Sequence, residues 1–213
     1  MVLSYLLLED LDPGRPERAQ VEKIVREATR CKEIVQGLLE FSRDMPSRMV
    51  PVQVNRILEE VLSLVADHLL FQHIDLEVHL DPHLPRVLGD KNRLEQVFVN
   101  LLMNSAEAME GMGRLTVTTS LAPEGDRVRL AFSDTGPGIP ENLLGRLFDP
   151  FFTTKGVGKG VGLGLAISYG IIQKHLGRIF LEQTGPHGST FVVELPVLTG
   201  AEESGGREEE EGE

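Results

Sequence analysis

Two asparagines one helical turn apart are the first residues in this chain that could do chemistry. Asn100 and Asn104 lie in a segment whose apolar positions predict a helix from Lys91 to about Met109, so both carboxamides project from one face. A carboxamide oxygen suits Mg²⁺, a hard cation that takes few protein ligands and keeps water or phosphate oxygens in its other positions. An isolated Asn-x-x-x-Asn pair more often caps a turn or faces solvent, so its interpretation depends on the other motifs.

Two glycine motifs further along the chain could hold a nucleotide. Residues 134–138 read Asp-x-Gly-x-Gly directly after a predicted strand, where the carboxylate can accept a hydrogen bond from an exocyclic amine and the glycines let backbone approach a flat purine. Residues 160–165 read Gly-x-Gly-x-Gly-Leu and open a predicted helix, whose free N–H groups and positive end favour phosphate oxygens. Alone, the first motif more often marks a turn and the second a hinge. The spacing and late position of the second motif disfavour a dinucleotide-binding Rossmann fold.

The segment between the glycine motifs has the composition of a lid. Phenylalanines lie at 148, 151 and 152, and residues 153–160 bring two threonines, two lysines and three glycines. Aromatic anchors beside a glycine-rich segment suit a lid that packs at one end and moves over phosphates at the other, so we expect residues 156–160 to be mobile without a triphosphate. An ordinary hydrophobic corner with solvated lysines is the alternative.

These motifs, with Gly-Ser-Thr at 188–190, occur in the order of the N, G1, F, G2 and final boxes of a known family. Over most of residues 50–197 the chain resembles the ATP-binding domain of sensor histidine kinases. The F-box sequence and the residues after Asn104 are most similar to those of the nitrogen-regulation type of sensor kinase. The resemblance implies ATP and Mg²⁺ as cofactors and a fold shared with DNA gyrase B.

The resemblance also implies a role for each matched residue. Asn100 and Asn104 would bind the metal, and Asn100 and Lys155 would be catalytic. Hydrolytic relatives of the family carry a general-base glutamate where this chain has Asn100. An amide cannot take a proton from water at neutral pH, so transfer of the phosphate to another nucleophile is favoured over hydrolysis of ATP. The nucleotide-binding residues would be Asn104, Asp134, Gly136, Gly138, Phe148, Thr153, Thr154, Lys159, Gly160, Gly162, Leu163, Gly164, Leu165 and Thr190.

The segments that must position these residues are predicted to be a mixture of helices and strands. Helices are predicted at 55–69, at 91–109 with Asp90 as N-cap, and at about 161–175. Strands are predicted at 74–80, 114–120, 127–133, 178–183 and 190–195. This order predicts an α+β fold over residues 52–197, a two-layer α/β sandwich of the gyrase and histidine kinase type with helices on one face of a mixed sheet.

The two ends of the chain have different compositions. Apolar positions spaced three and four apart from Glu17 to about Arg43 predict a heptad helix, and a short apolar helix precedes it. We interpret residues 1–45 as a truncated dimerisation hairpin and 46–51 as a linker. Residues 198–213 are rich in glycine and glutamate, which predicts a disordered acidic tail.

Composition excludes several classes of protein. No apolar run approaches the roughly 20 residues needed to cross a bilayer. The net charge is −12, and no basic face marks a nucleic-acid site. We therefore predict a cytoplasmic chain without membrane or nucleic-acid contact. Cys31 is the only cysteine, which excludes an internal disulfide.

The phosphate-accepting histidine of the family is expected about eight positions before Met1, because residues 2–10 resemble the segment that follows it. We interpret the six histidines present as structural or solvated, and His175 as a helix-terminal residue whose positive charge suits the dipole. We therefore expect the chain to bind Mg-ATP and to transfer phosphate to a histidine outside it, without autophosphorylation at the usual histidine. Expected partners are a response regulator receiver domain and, in the full-length protein, a second copy. A standalone ATPase, an anti-sigma-type serine kinase and a nucleotide-binding scaffold without turnover are the alternatives.

Overall fold

The computed structural model describes residue 15, residues 17–25, residue 28, and residues 48–154 and 161–198. These residues belong to two compact units, which we describe separately. The first contains the described residues up to 28, together with 146–154 and 161–167, and the second contains 48–145 and 168–198. Residues 17–25 are helical, as predicted for the start of the heptad helix. The rest of the predicted hairpin, and residues 199–213 of the predicted tail, lie outside the described residues.

Among the described residues, the predicted helices and strands occur in the predicted order, and two short strands that were not predicted, at Val50–Val52 and Val87–Gly89, are added. The α-helices are α1 (Val54–Ala66), α2 (Lys91–Ala108) and α3 (Gly164–Lys174). Short 3₁₀ helices lie at Leu69–Phe71 and Glu141–Arg146. The strands are β1 (Val50–Val52), β2 (His73–Leu80), β3 (Val87–Gly89), β4 (Met112–Leu121), β5 (Arg127–Asp134), β6 (Arg178–Gly185) and β7 (Gly188–Pro196).

Five of these strands form one mixed sheet in the order β2-β4-β5-β7-β6. β2 and β4 are parallel, and the chain between them contains α2, as a parallel connection requires. The other neighbours are antiparallel. In the register of β5 and β7, Asp134 lies opposite Ser189 and Ser133 lies opposite Thr190.

The two faces of the sheet differ in chemistry. α2 packs on one face, where the Phe98 and Phe132 ring centroids are 6.1 Å apart. The other face carries exposed ion pairs, such as Arg129 Nη2 to Glu182 Oε2 at 2.6 Å. α1 adds to the helix layer a stripe of buried residues with helical spacing: Val54, Ile57, Leu58, Val61, Leu62 and Val65. The predicted two-layer sandwich with a mixed sheet is therefore confirmed.

The predicted linker is wrong at its last two residues. Val50 and Pro51 belong to β1, which pairs antiparallel with β3 in a separate two-stranded sheet. A three-residue strand is too short to show alternation, and Pro51 argues against a strand except at a sheet edge, which is where it lies. The folded unit therefore begins before residue 52.

The predicted N-cap of α2 is confirmed. Asp90 Oδ1 accepts a hydrogen bond from Arg93 N at 3.2 Å, which satisfies one of the first backbone donors of the helix. Asp90 Oδ2 also accepts from Arg48 N at 3.1 Å.

None of the helices among the described residues is long and apolar enough to span a membrane.

Candidate functional site

Asp134 ends β5 as a buried carboxylate. Its side chain is 8% exposed, and its Oδ1 accepts hydrogen bonds from Gly136 N at 2.9 Å and Ser189 N at 3.2 Å. The bond to Gly136 is the local turn that aspartate forms with backbone two residues on. The buried Ser105 hydroxyl is a further hydrogen-bond partner of the carboxylate. Both the chain after β5 and the start of β7 therefore hold Asp134 in one orientation.

Burial raises the pKa of the Asp134 carboxyl above its usual range, and the hydrogen bonds from Gly136, Ser189 and Ser105 oppose that shift without cancelling it. A carboxylate offers about four acceptor positions, so it can take a further donor such as an exocyclic amine. Such a bond would be charge-assisted and shielded from water. The carboxylate is therefore suited to recognise an amine on a flat ring.

The loop after Asp134 requires glycine. Gly138 has φ of 74°, and a Cβ there would overlap the carbonyl oxygen of Gly185. A Cβ on Gly136 would lie 2.9 Å from Asp134 Oδ1. Both positions therefore exclude a side chain because backbone or the carboxylate occupies the space.

The β6–β7 hairpin supports this loop through residues that sequence reasoning missed. Thr184 Oγ1 accepts a hydrogen bond from Ile139 N at 2.8 Å and lies 3.0 Å from Ser189 Oγ. Thr184 belongs to no recognised motif. Ser189 lies within the Gly-Ser-Thr motif, but only Thr190 of its two hydroxyl residues was predicted to bind the nucleotide, and the pairing of Ser189 with Asp134 would have identified it.

The predicted role of Thr190 needs correction. Thr190 Oγ1 is 3.0 Å from Ser133 Oγ, and both residues alternate with the buried pair Asp134 and Ser189. Because successive strand residues point to opposite faces, the Thr190 side chain lies on the face away from the Asp134 carboxylate. Thr190, which the sequence predicts to bind the nucleotide, therefore does not share a face with Asp134, and the hydroxyl residue of this motif that does is Ser189.

Asn100 and Asn104 lie together on one face of α2, as predicted. Asn104 Nδ2 donates to Asn100 Oδ1 at 3.4 Å, and Asn100 Nδ2 donates to Ser168 Oγ at 2.9 Å. Ser168 is 1% exposed and was missed because it follows the last glycine motif without being part of it. The three side chains therefore form a chain of hydrogen bonds between α2 and α3.

The donor set is compatible with Mg²⁺ coordinated mostly by phosphate and water. A carbonyl oxygen has two lone pairs, so the bond from Asn104 leaves Asn100 Oδ1 one acceptor position. Among the described residues, no group of three or more His, Cys, Asp or Glu side chains could hold a metal ion. Two neutral amides fit a metal that brings its own anionic ligands, which is how Mg²⁺ binds with nucleotides.

The F and G2 motifs lie in the first unit. Phe148 and Phe152 are half-buried, whereas Phe151 is 54% exposed at φ of 66°, so it is not the buried anchor that we predicted. The Arg146 guanidinium lies 4.8 Å from the Phe152 ring centroid. Thr153 and Thr154 are exposed.

The described part of the G2 motif leads into α3, which begins at Gly164. Gly162 has φ of 70°, and a Cβ there would overlap the carbonyl oxygen of Phe152. Ile167 N donates to Leu163 O at 2.9 Å as the first helical bond, so the N–H groups of Gly164 and Leu165 fall in the turn that has no intrahelical acceptors. Lys155, Lys159 and Gly160, with the predicted lid 156–160, lie outside the described residues.

The structural role expected for His175 at a helix end is confirmed, but the positive charge expected there is wrong. The ring is 4% exposed, its Nδ1 is 2.8 Å from Ile171 O, and its Nε2 accepts from Asp90 N at 2.9 Å. Burial lowers the pKa of His175, so the ring is held neutral. It therefore ties the end of α3 to the N-cap of α2 instead of placing a positive charge at a helix terminus.

Comparison with known proteins identifies the family. The sequence profile described as "Histidine kinase-, DNA gyrase B-, and HSP90-like ATPase" matches residues 89–199. The catalytic domain of histidine kinase ThkA is similar, with a TM-score of 0.62 and 34% identity over 70% of this chain and 97% of that domain. This chain belongs to that ATPase family. It carries the catalytic domain of a histidine kinase.

Longer relatives are similar to this histidine kinase domain and its flanking residues. Sensor kinase CckA of Brucella abortus is 35% identical over 92% of this chain and 22% of its own length. ThkA in complex with the response regulator TrrA has a TM-score of 0.72 and 30% identity over 89% of this chain and 54% of that chain. Full-length ShkA in complex with AMPPNP has a TM-score of 0.71 and 27% identity over 91% of this chain and 41% of that chain. The chain spans 22% to 38% of the length of the first three curated relatives.

Proposed function

We propose that this chain binds Mg-ATP and transfers the γ-phosphate to a histidine of a sensor histidine kinase. The buried Asp134 carboxylate carries the proposal, because its Oδ1 is held by two backbone donors while the glycine loop beside it excludes side chains. This is the arrangement that recognition of the adenine amine requires. The AMPPNP complex of ShkA supports ATP as the nucleotide.

The roles of the other residues follow from motif and local geometry. Asn100 and Asn104 would hold Mg²⁺, which neutralises phosphate charge when bound. Residues Gly162 to Leu165, which lead into and begin α3, would donate backbone N–H groups to phosphate oxygens. Phe148, Thr153, Thr154, Lys155, Lys159 and Gly160 are proposed to bind nucleotide on the motif alone.

Transfer is favoured over hydrolysis by the chemistry of Asn100. Its carboxamide donates to Ser168 and accepts from Asn104, so it orients other groups but cannot take a proton from water. Phosphoryl transfer depends mainly on positioning and charge neutralisation, which the residues present can supply to an external acceptor.

We also propose the partners and domain organisation. The ThkA–TrrA complex supports a response regulator receiver domain as partner. The dimerisation hairpin of 1–45, the catalytic domain to 197, the acidic tail, the second copy and the nitrogen-regulation subtype remain predictions from the sequence.

The transfer is tested with γ-labelled ATP and a separate helical hairpin that bears the phosphate-accepting histidine of a sensor kinase. We expect phosphate on the hairpin that is acid-labile and stable in alkali, and none when the histidine is replaced by glutamine. Acid-stable phosphate would indicate a serine kinase. Free phosphate without transfer would indicate an ATPase, and ATP binding without turnover would indicate a scaffold.

The metal assignment is tested with Asn100→Ala. Loss of one ligand should lower the apparent Mg²⁺ affinity, measured by calorimetry in the presence of ATP, at least about tenfold. Binding of ATP in EDTA should stay close to that of the parent chain. A Mg²⁺ titration that overlays the parent's would remove Asn100 from the metal site.

A further inference from the structure

Ser168 occupies a position that affects how Asn100 presents its oxygen. Its Oγ accepts a hydrogen bond from Asn100 Nδ2 at 2.9 Å, and it is 1% exposed. On the other side of the amide, Asn104 Nδ2 donates to Asn100 Oδ1 at 3.4 Å. The Asn100 amide is therefore held at both ends.

The two ends of a carboxamide differ in chemistry although they have nearly the same shape. Only the oxygen can bind a cation, whereas the NH₂ end would repel it. Rotating the Asn100 amide by half a turn would bring its NH₂ against the NH₂ of Asn104 and would give up the bond from Asn104 to Oδ1. The observed orientation satisfies both ends at once because Ser168 accepts from Nδ2.

We propose that Ser168 is a positioning residue for the metal: by accepting a hydrogen bond from Asn100 Nδ2, it fixes the amide with Oδ1 available to Mg²⁺. This inference rests on the proposed role of Asn100 in metal binding. It assigns a specific effect to a residue outside the recognised motifs. Ser168 itself touches neither metal nor nucleotide in this proposal.

A purely structural role for Ser168 predicts a different result. A buried hydroxyl that only satisfies a neighbouring donor would affect stability, without a separate effect on the metal. A positioning role changes the Mg²⁺ dependence of nucleotide binding while leaving metal-free binding unchanged. The two roles are therefore separable by measuring ATP affinity across a Mg²⁺ series and in EDTA.

The experiment uses the 213-residue chain. Ser168→Ala should weaken the apparent Mg²⁺ affinity about three- to tenfold, the equivalent of one neutral hydrogen bond, with unchanged ATP affinity in EDTA. Ser168→Cys keeps the volume but accepts weakly, so it should behave like alanine and it replaces that variant if alanine does not fold. Ser168→Thr keeps the hydroxyl and should recover Mg²⁺ affinity. Ser133→Ala, on the opposite face of the sheet, is the matched control and should leave the titration unchanged.

The double variant Asn100→Ala with Ser168→Ala decides whether Ser168 acts through Asn100. If it does, the double variant has the Mg²⁺ affinity of Asn100→Ala alone, and additive losses would overturn the proposal. An unchanged titration in Ser168→Ala and Ser168→Cys, with a shifted one in Asn100→Ala, would also overturn it while leaving the metal assignment intact. If Asn100→Ala has no effect either, the metal assignment itself fails.

A second readout follows the Asn100 side-chain amide by NMR, with its signals identified by their absence in Asn100→Ala. In Ser168→Ala the two amide protons should shift and exchange faster with water, because Nδ2 has lost this buried acceptor. Unchanged signals and exchange would show that Ser168 does not restrain the amide, and the proposal would fail.

Discussion

Replacing Asp134 by asparagine tests the centre of the proposed nucleotide site with little change in shape. Oδ1 is held by Gly136 N and Ser189 N, so the amide carbonyl of asparagine should take that position. The amide nitrogen then occupies the place of Oδ2. The variant would therefore present a hydrogen-bond donor where the parent presents a charged acceptor.

The magnitude follows from the bond that is lost. A hydrogen bond to a charged group contributes about 1.5 to 3 kcal/mol, so ATP affinity should fall about ten- to a hundredfold. Inosine triphosphate carries a carbonyl where ATP carries the exocyclic amine. The parent should prefer ATP, and the variant should lose or reverse that preference because its amide nitrogen can donate to the carbonyl.

Calorimetric titration of both nucleotides against both proteins gives the four affinities needed. Asp126→Asn makes the same chemical change at the exposed residue before β5, and it should alter neither affinity. An unchanged ratio of ATP to inosine triphosphate affinity in Asp134→Asn would show that Asp134 does not read the amine, whatever the absolute affinities are.

Two other predictions concern stability. Gly138→Ala places a side chain at φ of 74° against the Gly185 carbonyl, so it should lower the free energy of unfolding by about 1 to 3 kcal/mol. Gly170 lies in α3 with open space around it, so Gly170→Ala should raise the free energy of unfolding by about 0.5 to 1 kcal/mol. Thermal or denaturant unfolding measures both. If both variants unfold alike, the loop does not require glycine. Burial lowers the pKa of His175, so the imidazole binds a proton more readily in the unfolded chain than in the folded one. The stability that the neutral imidazole contributes is therefore fully present above its unfolded pKa of about 6.5. That stability is lost as the pH falls through the folded pKa. His175→Gln should remove that part of the pH dependence, and an identical stability profile in parent and variant from pH 5 to 8 would contradict it.

Sequence reasoning succeeded where a residue type follows from a local requirement. Asp90 as the cap of α2 and the glycine at 138 both depend on backbone geometry that only a few residue types tolerate. The long strands and α2 were predicted to within two or three residues because their periodicity extends over several turns or pairs.

It failed where the role of a residue is set by a contact distant in sequence. Ser168 acts on Asn100 from 68 positions away, and no local pattern distinguishes it from any other helix serine. Choosing between Ser189 and Thr190 needs the register of β7 against β5, since a shift of one residue exchanges the two faces. His175 was misread because its burial depends on how α3 packs near Asp90.

The burial of the Asp134 carboxylate relates its proposed role in nucleotide recognition to the stability of the chain. Its raised pKa means that the folded chain binds the proton more readily than the unfolded chain, so its contribution to stability is largest at low pH and is lost as pH rises through the folded pKa. At neutral pH the ionised group is therefore held at a cost that a donating amine would offset. Asp134→Asn removes this cost, so at pH 7 the variant should unfold at the same temperature as the parent or higher. ATP should raise the unfolding temperature of the parent far more than that of the variant, because stabilisation by a ligand follows its affinity. Equal shifts in the two proteins at saturating Mg-ATP would mean that the nucleotide does not use this carboxylate.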